Sequence, residues 1–571
     1  MQKLFLTLSS TFLLAGVALA EGPEIQPGEL VQSVSPNKVW TAAQINDGSV
    51  VIRNHSTGEA WPYFTDMGGR NYFISSGAAA SDIGVIAGST TTSNAAYWEK
   101  GRWYVLPTPH PDFISIAYGL SSDGRIICGG AGAAEMANDT EVTMLVPVLW
   151  YRGEDGKYGD PVYLPHPEFD ITGRKPQYIT AIAVSNDGKT VAGQMMDYYG
   201  ARCEPIVYRC DDKGEWSYTL LGRELLNPYD VEFPEWPGGL ADDILRPTQE
   251  DYMTPEQLNA FMEAFEAWNG ATDPPLYEDF MSPEKIEEYQ KDLKAYLDII
   301  LPWSEKFEYF QSVYREYLSA SSSFVFNNVR LSPDGKKYVT TANVVYKNNR
   351  GYNPVIFDLD TDEFTILSSQ QGVTVNYVAD DYTILAFSGA IGADGGSYRA
   401  YVFPQMKPGG MWLEDYVKEK NPALLEWMER TLIQDVIVGL NADQSYMTRE
   451  VFCTGIPTAT PDLSLIVTNN STASWYDSPG DEYITAYLPM TWQSGVETIE
   501  TDNYADMKLL PGGIIDLGGE FASLDVYDIT GARVYTASDV SGQVNPRLPK
   551  GIYIIRGTDR SGSSQTLKVS L

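Results

Sequence analysis

A polar hairpin turn recurs along the chain, and it constrains the fold more than any other feature of the sequence. Residues Ala183 to Gln194 read "AVSNDGKTVAGQ", Gly119 to Gly130 read "GLSSDGRIICGG" and Arg330 to Thr341 read "RLSPDGKKYVTT". Asp-Gly between two β-rich runs predicts a tight hairpin, because the turn needs residues that tolerate positive φ. A second hairpin, "PIVYRCDDKGEWSYTLL", follows the first of these from Pro205 to Leu221. Four short antiparallel strands in about 40 residues match one blade of a β-propeller.

The same unit recurs from Phe73, with Asp82 in its first turn, and from Val329 to Ser369. Weaker copies surround Asp380 and Asp462, and at the N-terminus "QSVSPNKVWTAAQ" places Asn37 where the others have Asp. Counting every copy predicts a mainly β fold, a seven-bladed β-propeller in which the first and last blades meet and few edges stay exposed. Recurrence also changes the meaning of the Asp: seven copies of one turn point to architecture rather than to a ligand site. The links "LPTPHPDF" from Leu106 and "LPHPEFD" from Leu164 are alike, which makes His110 and His166 structural.

The strand pattern stops between residues 222 and 319. Thr254-Pro255 and Ser282-Pro283 are helix starts, and Ile286, Tyr289, Leu293, Tyr296 and Ile300 follow at helical spacing, with helix expected to resume after Pro302. This helical insertion is rich in aromatics, and its acids outnumber its bases by about three to one. Trp236, Trp268, Tyr277 and Trp303 are its candidate ligand-binding rings, available to stack on a sugar or a peptide; the competing reading makes them the insertion's own core. A second helical insertion is expected over residues 408–436, broken near Pro422.

The first 20 residues combine a Lys, an apolar run and a small-x-small ending at Ala18 and Ala20, which predicts a signal peptide and an exported mature chain. No later run approaches the ~18 apolar residues of a membrane span. A net charge of -36 excludes phosphate-backbone recognition, so nucleic acid is not an expected partner. Cys128, Cys203, Cys210 and Cys453 have no zinc spacing, and Cys203 and Cys210 fall on opposite faces of one continuous strand. Asp358, Asp360 and Asp362 in "FDLDTDEF" lack the Gly and distal Glu of a calcium loop and read as a turn. No nucleophile elbow, HExxH, phosphate loop or dinucleotide fingerprint occurs, and neither a catalytic residue, a metal ligand nor a cofactor is assigned.

The strings "SPDGKKYV", "SNDGKTVAG" and "SSDGRIICG" resemble the repeats of TolB-like bacterial propellers, over roughly residues 30 to 495. In about the last 75 residues, "VYDITGARVY", "LPKGIYIIR" and the terminal "LKVSL" resemble the C-terminal sorting domain of Bacteroidetes type IX secretion. That resemblance implies a small Ig-like β-sandwich over 496–571, read by the secretion machinery. The leading functional expectation is a non-enzymatic, secreted or cell-surface propeller over residues 21–495 that binds a glycan or a surface protein. The alternative is an extracellular glycan- or peptide-processing enzyme, with acids at the propeller channel or under the first insertion.

Overall fold

The computed structural model describes residues 22–45, 49–63, 72–74, 80–90, 93–109, 113–132, 145–238, 244–270, 272–367, 372–388, 398–440, 445–471, 483–492, 507–510, 514–528, 533–549, 552–560 and 564–570. Ala18, Ala20, His110 and the sorting-domain turns at Thr530-Gly531 and Lys550-Gly551 lie outside them. The chain divides into two compact units, Met1–Gln493 and Ser494–Leu571.

In the first unit seven four-stranded antiparallel sheets occur among the described residues. Sheets 1 to 6 each use consecutive strands, within residues 29–63, 72–105, 115–163, 178–220, 323–366 and 373–412. Sheet 7 combines Ile456–Ala459, Leu465–Ser471 and Tyr483–Pro489 with a strand from the other end of the unit, Glu24–Pro27. From sheet 3 round to sheet 1, first strands pack against the first strands of neighbouring sheets, while fourth strands such as Trp216–Leu220 face solvent. This is the β-propeller architecture. Because sheets cover each other on both faces, second strands are almost wholly buried; Thr190–Met196 is buried at its five central positions.

Sheets 1 and 7 are locked at their junction. The Asn469 side chain accepts from Val31 N (2.8 Å) and donates to Val31 O (2.7 Å), and the Thr485 hydroxyl donates to Glu29 O (2.8 Å). Glu29 also pairs with Arg53.

The recurring turn acts as a brace. In sheet 4 Asp187 Oδ1 accepts from Ser185 Oγ (2.6 Å) and Lys189 N (3.0 Å), and Ser185 Oγ accepts from Thr190 N (3.0 Å). Asn37 does the same in sheet 1, accepting from Ser35 Oγ (2.7 Å) and Val39 N (3.1 Å). An amide oxygen therefore serves as well as a carboxylate, and the negative charge is dispensable to the turn. Neighbouring turns also bond to each other: Asp82 N to Ser122 O (2.9 Å), Asn186 N to Pro333 O (2.9 Å) and Asp380 N to Pro461 O (2.8 Å).

Two glycines of the repeat answer to contacts. Gly188 has φ +71°, and a Cβ there would come within 2.5 Å of Ile126 Cδ1 in sheet 3. Five residues on, Gly193 pairs with Ala181 beside the register slip at Ile182, and a Cβ there would lie 2.1 Å from Thr180 O. The bulge pushes that carbonyl toward the second strand, so the repeat needs a Gly opposite it.

The helices depart from expectation in two places. The first insertion holds α1 (Arg223–Leu226), α2 (Pro255–Ala267) and α3 (Pro283–Ala320), with Thr254 and Ser282 as side-chain caps as the sequence predicts. α3 runs through Pro302 without a stop, contrary to the expected break. Pro302 is exposed, so a carbonyl released from the helix ladder there meets solvent rather than protein. The second insertion is narrower than residues 408–436. Met411–Trp412 is the last strand of sheet 6, α4 (Leu413–Lys420) and α5 (Pro422–Thr431) form the helical part, and Ile433–Leu440 pairs with Tyr446–Phe452 as a hairpin. The Asn421 side chain caps α5, accepting from Leu424 N, and the β-branched run after Leu432 favours strand.

In the second unit, five strands join one antiparallel sheet. Its longest strand, Ile514–Asp528, pairs with three others, and its pairing with Arg533–Val544 slips between Asp516 and Glu520. Leu517, Leu524, Val526 and Ile555 form its core.

Asp187→Asn is expected to change stability by no more than about 0.5 kcal/mol. Gly188→Ala, strained at its φ, is expected to cost about 1–3 kcal/mol. Urea unfolding midpoints of the two variants check this; equal losses would mean that the carboxylate charge matters to the fold.

Candidate functional site

All seven sheets of the propeller contribute to a pocket of about 80 Å³ on its axis, six through their first strands and the second through Ala80, just before its turn. Two residues before the position of Ser185, six of the seven repeats present Ser33, Gly119, Ala183, Arg330, Tyr377 and Thr458 to this lining. Four of the six are small, which leaves the space. Arg330 is the single charged residue in the lining, and no Asp, Glu, His or Cys stands there among the described residues.

The Arg330 side chain is buried between sheets 5 and 6. Its Nε donates to Asn376 O, its Nη2 to Asn376 Oδ1 (3.1 Å) and its Nη1 to Val329 O (2.8 Å). Asn376 is the residue skipped by the bulge of its strand, and it donates onward to Pro457 O (2.7 Å) in sheet 7. Burial pushes the Arg330 guanidinium down to about 10. Around the nearby turns, burial and the neighbouring Asp462, Asp381 and Asp334 raise the Asp380 carboxyl.

The second candidate region is the base of the helical arm formed by α2 and α3. Phe310, Tyr314 and Tyr317 of α3 are buried against Ile171, Tyr199, Phe233 and Trp236. Tyr314 Oη donates to Asp197 Oδ2 (2.9 Å), whose carboxyl is raised by burial even though Ala201 N also donates to it (2.8 Å). Arg202 holds the end of α3, donating to Ser321 Oγ (2.8 Å) and Leu318 O (2.7 Å). The Arg174 guanidinium lies over the rings of Tyr198 (3.1 Å) and Trp236 (3.6 Å). Beside this base a cleft of about 460 Å³ is lined by Ile171, Arg223, Asn227, Asp230 and Tyr346 among others.

The four rings singled out from the sequence fall into two pairs. Trp236 packs edge-on against Phe307 (5.7 Å) and Phe310 (4.9 Å), while Trp303 stacks on Phe307 (4.9 Å) and donates to Gly238 O (3.0 Å). Tyr277 stacks on Phe261 (4.0 Å) and donates to Glu250, and Trp268 lies 6.2 Å from Phe265 and donates to Thr272 O (2.8 Å). Each ring has a neighbour within the insertion; Trp268 is the one exposed enough to offer much of its face.

Sequence reasoning missed both anchors. Arg174 lies in the link between sheets 3 and 4, where nothing local marks it. Arg330 had a signal: it is a charge at a repeat position that elsewhere carries Ser, Gly, Ala, Tyr or Thr.

Other titratable residues have structural duties. The His55 ring bonds Thr41 Oγ1 (2.7 Å), and burial together with Arg53 holds it down at about 4. Asp358 pairs with Lys337 at a hairpin turn of sheet 5. Cys203 and Cys210 are the two ends of one strand, and burial pushes the Cys128 and Cys203 thiols up to about 12. No helix among the described residues is long and apolar enough to cross a membrane.

Phe310→Ala is expected to cost about 3–5 kcal/mol locally. Hydrogen exchange should then quicken over the C-terminal half of α3 while the second strands of the sheets stay protected. Unchanged exchange in α3 would show that this cluster does not anchor the arm.

No family model matches the chain, and no curated protein matches it by sequence. Among solved structures, an oligogalacturonate lyase from Vibrio parahaemolyticus is 10% identical, covering 82% of this chain and 93% of its own, with a TM-score of 0.39. PorZ, a surface component of the type-IX secretion system of Porphyromonas gingivalis, is 11% identical over 94% of this chain and 74% of its own, with a TM-score of 0.23. TolB from Acinetobacter baumannii is 11% identical over 67% and 61%, with a TM-score of 0.28. The propeller architecture rests on the chain's own sheets.

Proposed function

We propose that this chain is a secreted or cell-surface protein that binds a partner rather than transforming a substrate, the partner being a surface protein or a glycan. The observation that carries this reading is the apolar surface of the arm. α2 and its C-cap leave Met262, Phe265 and Trp268 exposed, and α3 leaves Leu297, Ile299 and Leu301 exposed. Met262 and Phe265 stand three apart on α2, and Leu297 and Leu301 four apart on α3, so each pair shares one face of its helix and offers an apolar stripe for a partner. At 38 residues α3 is about 57 Å long. Its buried residues, Phe310, Tyr314 and Tyr317, all lie in its last three turns. Acids surround the exposed groups, which favours a partner with an apolar centre and a basic rim.

The axial pocket supports binding over catalysis, since among the described residues its lining offers no carboxyl or imidazole to work on a glycosidic or peptide bond. In this reading the seven sheets are the seven blades of one closed ring. Residues 1–20 are removed on export, and residues 496–571 act as the sorting domain for the secretion machinery. The five-stranded unit over Lys508–Ser570 and the order of its sequence motifs support that assignment.

A glycan array and surface cross-linking on intact cells, run with the mature chain and a Phe265→Asp/Leu301→Asp variant, test the proposal. The mature chain is expected to capture a discrete partner, and the variant to lose at least tenfold in binding with its melting temperature unchanged. Equal binding by both would remove the arm from the reading. Cleavage of an array glycan by the mature chain would replace binding with catalysis.

A further inference from the structure

We infer that the axial pocket is a binding site for a carboxylate, with Arg330 as its charge anchor. The inference is independent of the arm. Three observations meet at this residue. First, Arg330 is a buried cation with no acidic partner among the described residues, in a chain of net charge -36 that has carboxylates in abundance. A buried charge is costly unless it is matched by an opposite one, and removing its counter-ion is normally strongly destabilising. Second, a guanidinium has five N–H donors. Asn376 takes Nε and one Nη2 hydrogen, and Val329 O takes one Nη1 hydrogen. One donor on each terminal nitrogen is left, the pair that a carboxylate engages with both oxygens. Third, the residue lines a pocket whose space comes from Ser33, Gly119, Ala183 and Thr458 at the equivalent positions of other sheets. A volume of about 80 Å³ suits an acetate-sized group and not a sugar ring or an aromatic side chain.

The surrounding chemistry agrees. Asn376 fixes one edge of the guanidinium through two bonds and is itself fixed by Pro457 O, so the charge is pre-organised and little rotamer entropy remains to be lost on binding. No Asp or Glu lines the pocket among the described residues to repel the ligand there. The outer surface is acidic and does repel it, which makes ionic strength a variable to hold constant.

The test is titration of the mature chain with acetate, chloride and sulfate at constant ionic strength, by calorimetry and by thermal melting, beside Arg330→Lys and Arg330→Gln. Acetate is expected to give a saturable one-site isotherm and a rising melting temperature, at least tenfold tighter than chloride. Arg330→Lys keeps the charge but loses the fork, and is expected to bind acetate at least tenfold more weakly. Arg330→Gln is expected to bind none. If the Gln variant does not fold, line broadening of ¹³C-acetate by the unaltered chain, displaced by a second carboxylate, decides. Absence of broadening, equal effects of the three anions, or an Arg330→Lys variant that responds like the parent would overturn the assignment and leave Arg330 as a clamp between sheets 5 and 6.

Discussion

Four residues near the beginning of the chain, Glu24–Pro27, hydrogen-bond to Tyr483–Pro489 near the end of the first unit. That pairing ties the start of the unit into its last sheet, while the sheets between pack on their neighbours in sequence. An open row of sheets has two bare faces and a set of unpaired strand edges; joining the ends removes the faces and shortens the edges. The joint is made with more than backbone. The Asn469 amide reads both polar groups of Val31, and Thr485 fixes Glu29, so the register of the junction is specified by buried side chains rather than by the turn chemistry that sets each hairpin. A buried amide of this kind is costly to leave half-satisfied, which is what makes it a good register pin.

Within each sheet the fold was legible because its determinants are local. Asp187 and Gly188 announce a hairpin within four residues, and Asn37 shows from the sequence alone that the charge is replaceable. The helix starts at Thr254 and Ser282 were equally readable, since a capping residue followed by Pro states its function within one turn. What escaped depended on distance. The fit of Gly188 against Ile126 and the bulge opposite Gly193 are made by a neighbouring sheet and a neighbouring strand, and no pattern in a single repeat reveals them. The continuity of α3 through Pro302 turned on which side of the helix meets solvent. The expected insertion over 408–436 takes in the first residues of the hairpin at Ile433, because an apolar run beside helical sequence reads either way.

The candidate sites divide along the same line. Trp236, Trp268, Tyr277 and Trp303 stand out as aromatic rings in an acidic segment, yet only packing pairs them, Trp236 and Trp303 on Phe307 of α3, Tyr277 and Trp268 on Phe261 and Phe265 of α2. Arg330 is the opposite case. Alone it is an unremarked Arg before a turn; aligned with its counterparts in the other repeats it is the one charge among mostly small residues. Repeats make a protein readable twice, once for what every copy shares and once for the copy that departs from the pattern.

Closure through Glu24–Pro27 also sets the order of events in folding. The contact is among the longest in sequence that the unit makes, and long-range antiparallel pairings of this kind belong to slow, high-contact-order topologies. The opening strand cannot pair until the far end of the unit has been made. Until Tyr483–Pro489 has emerged, the ring has no partner for its opening strand, and sheets already formed present a bare face. A chain built this way exposes most unpaired edge just before completion, so covering those few residues until the far end arrives is the most direct protection against aggregation.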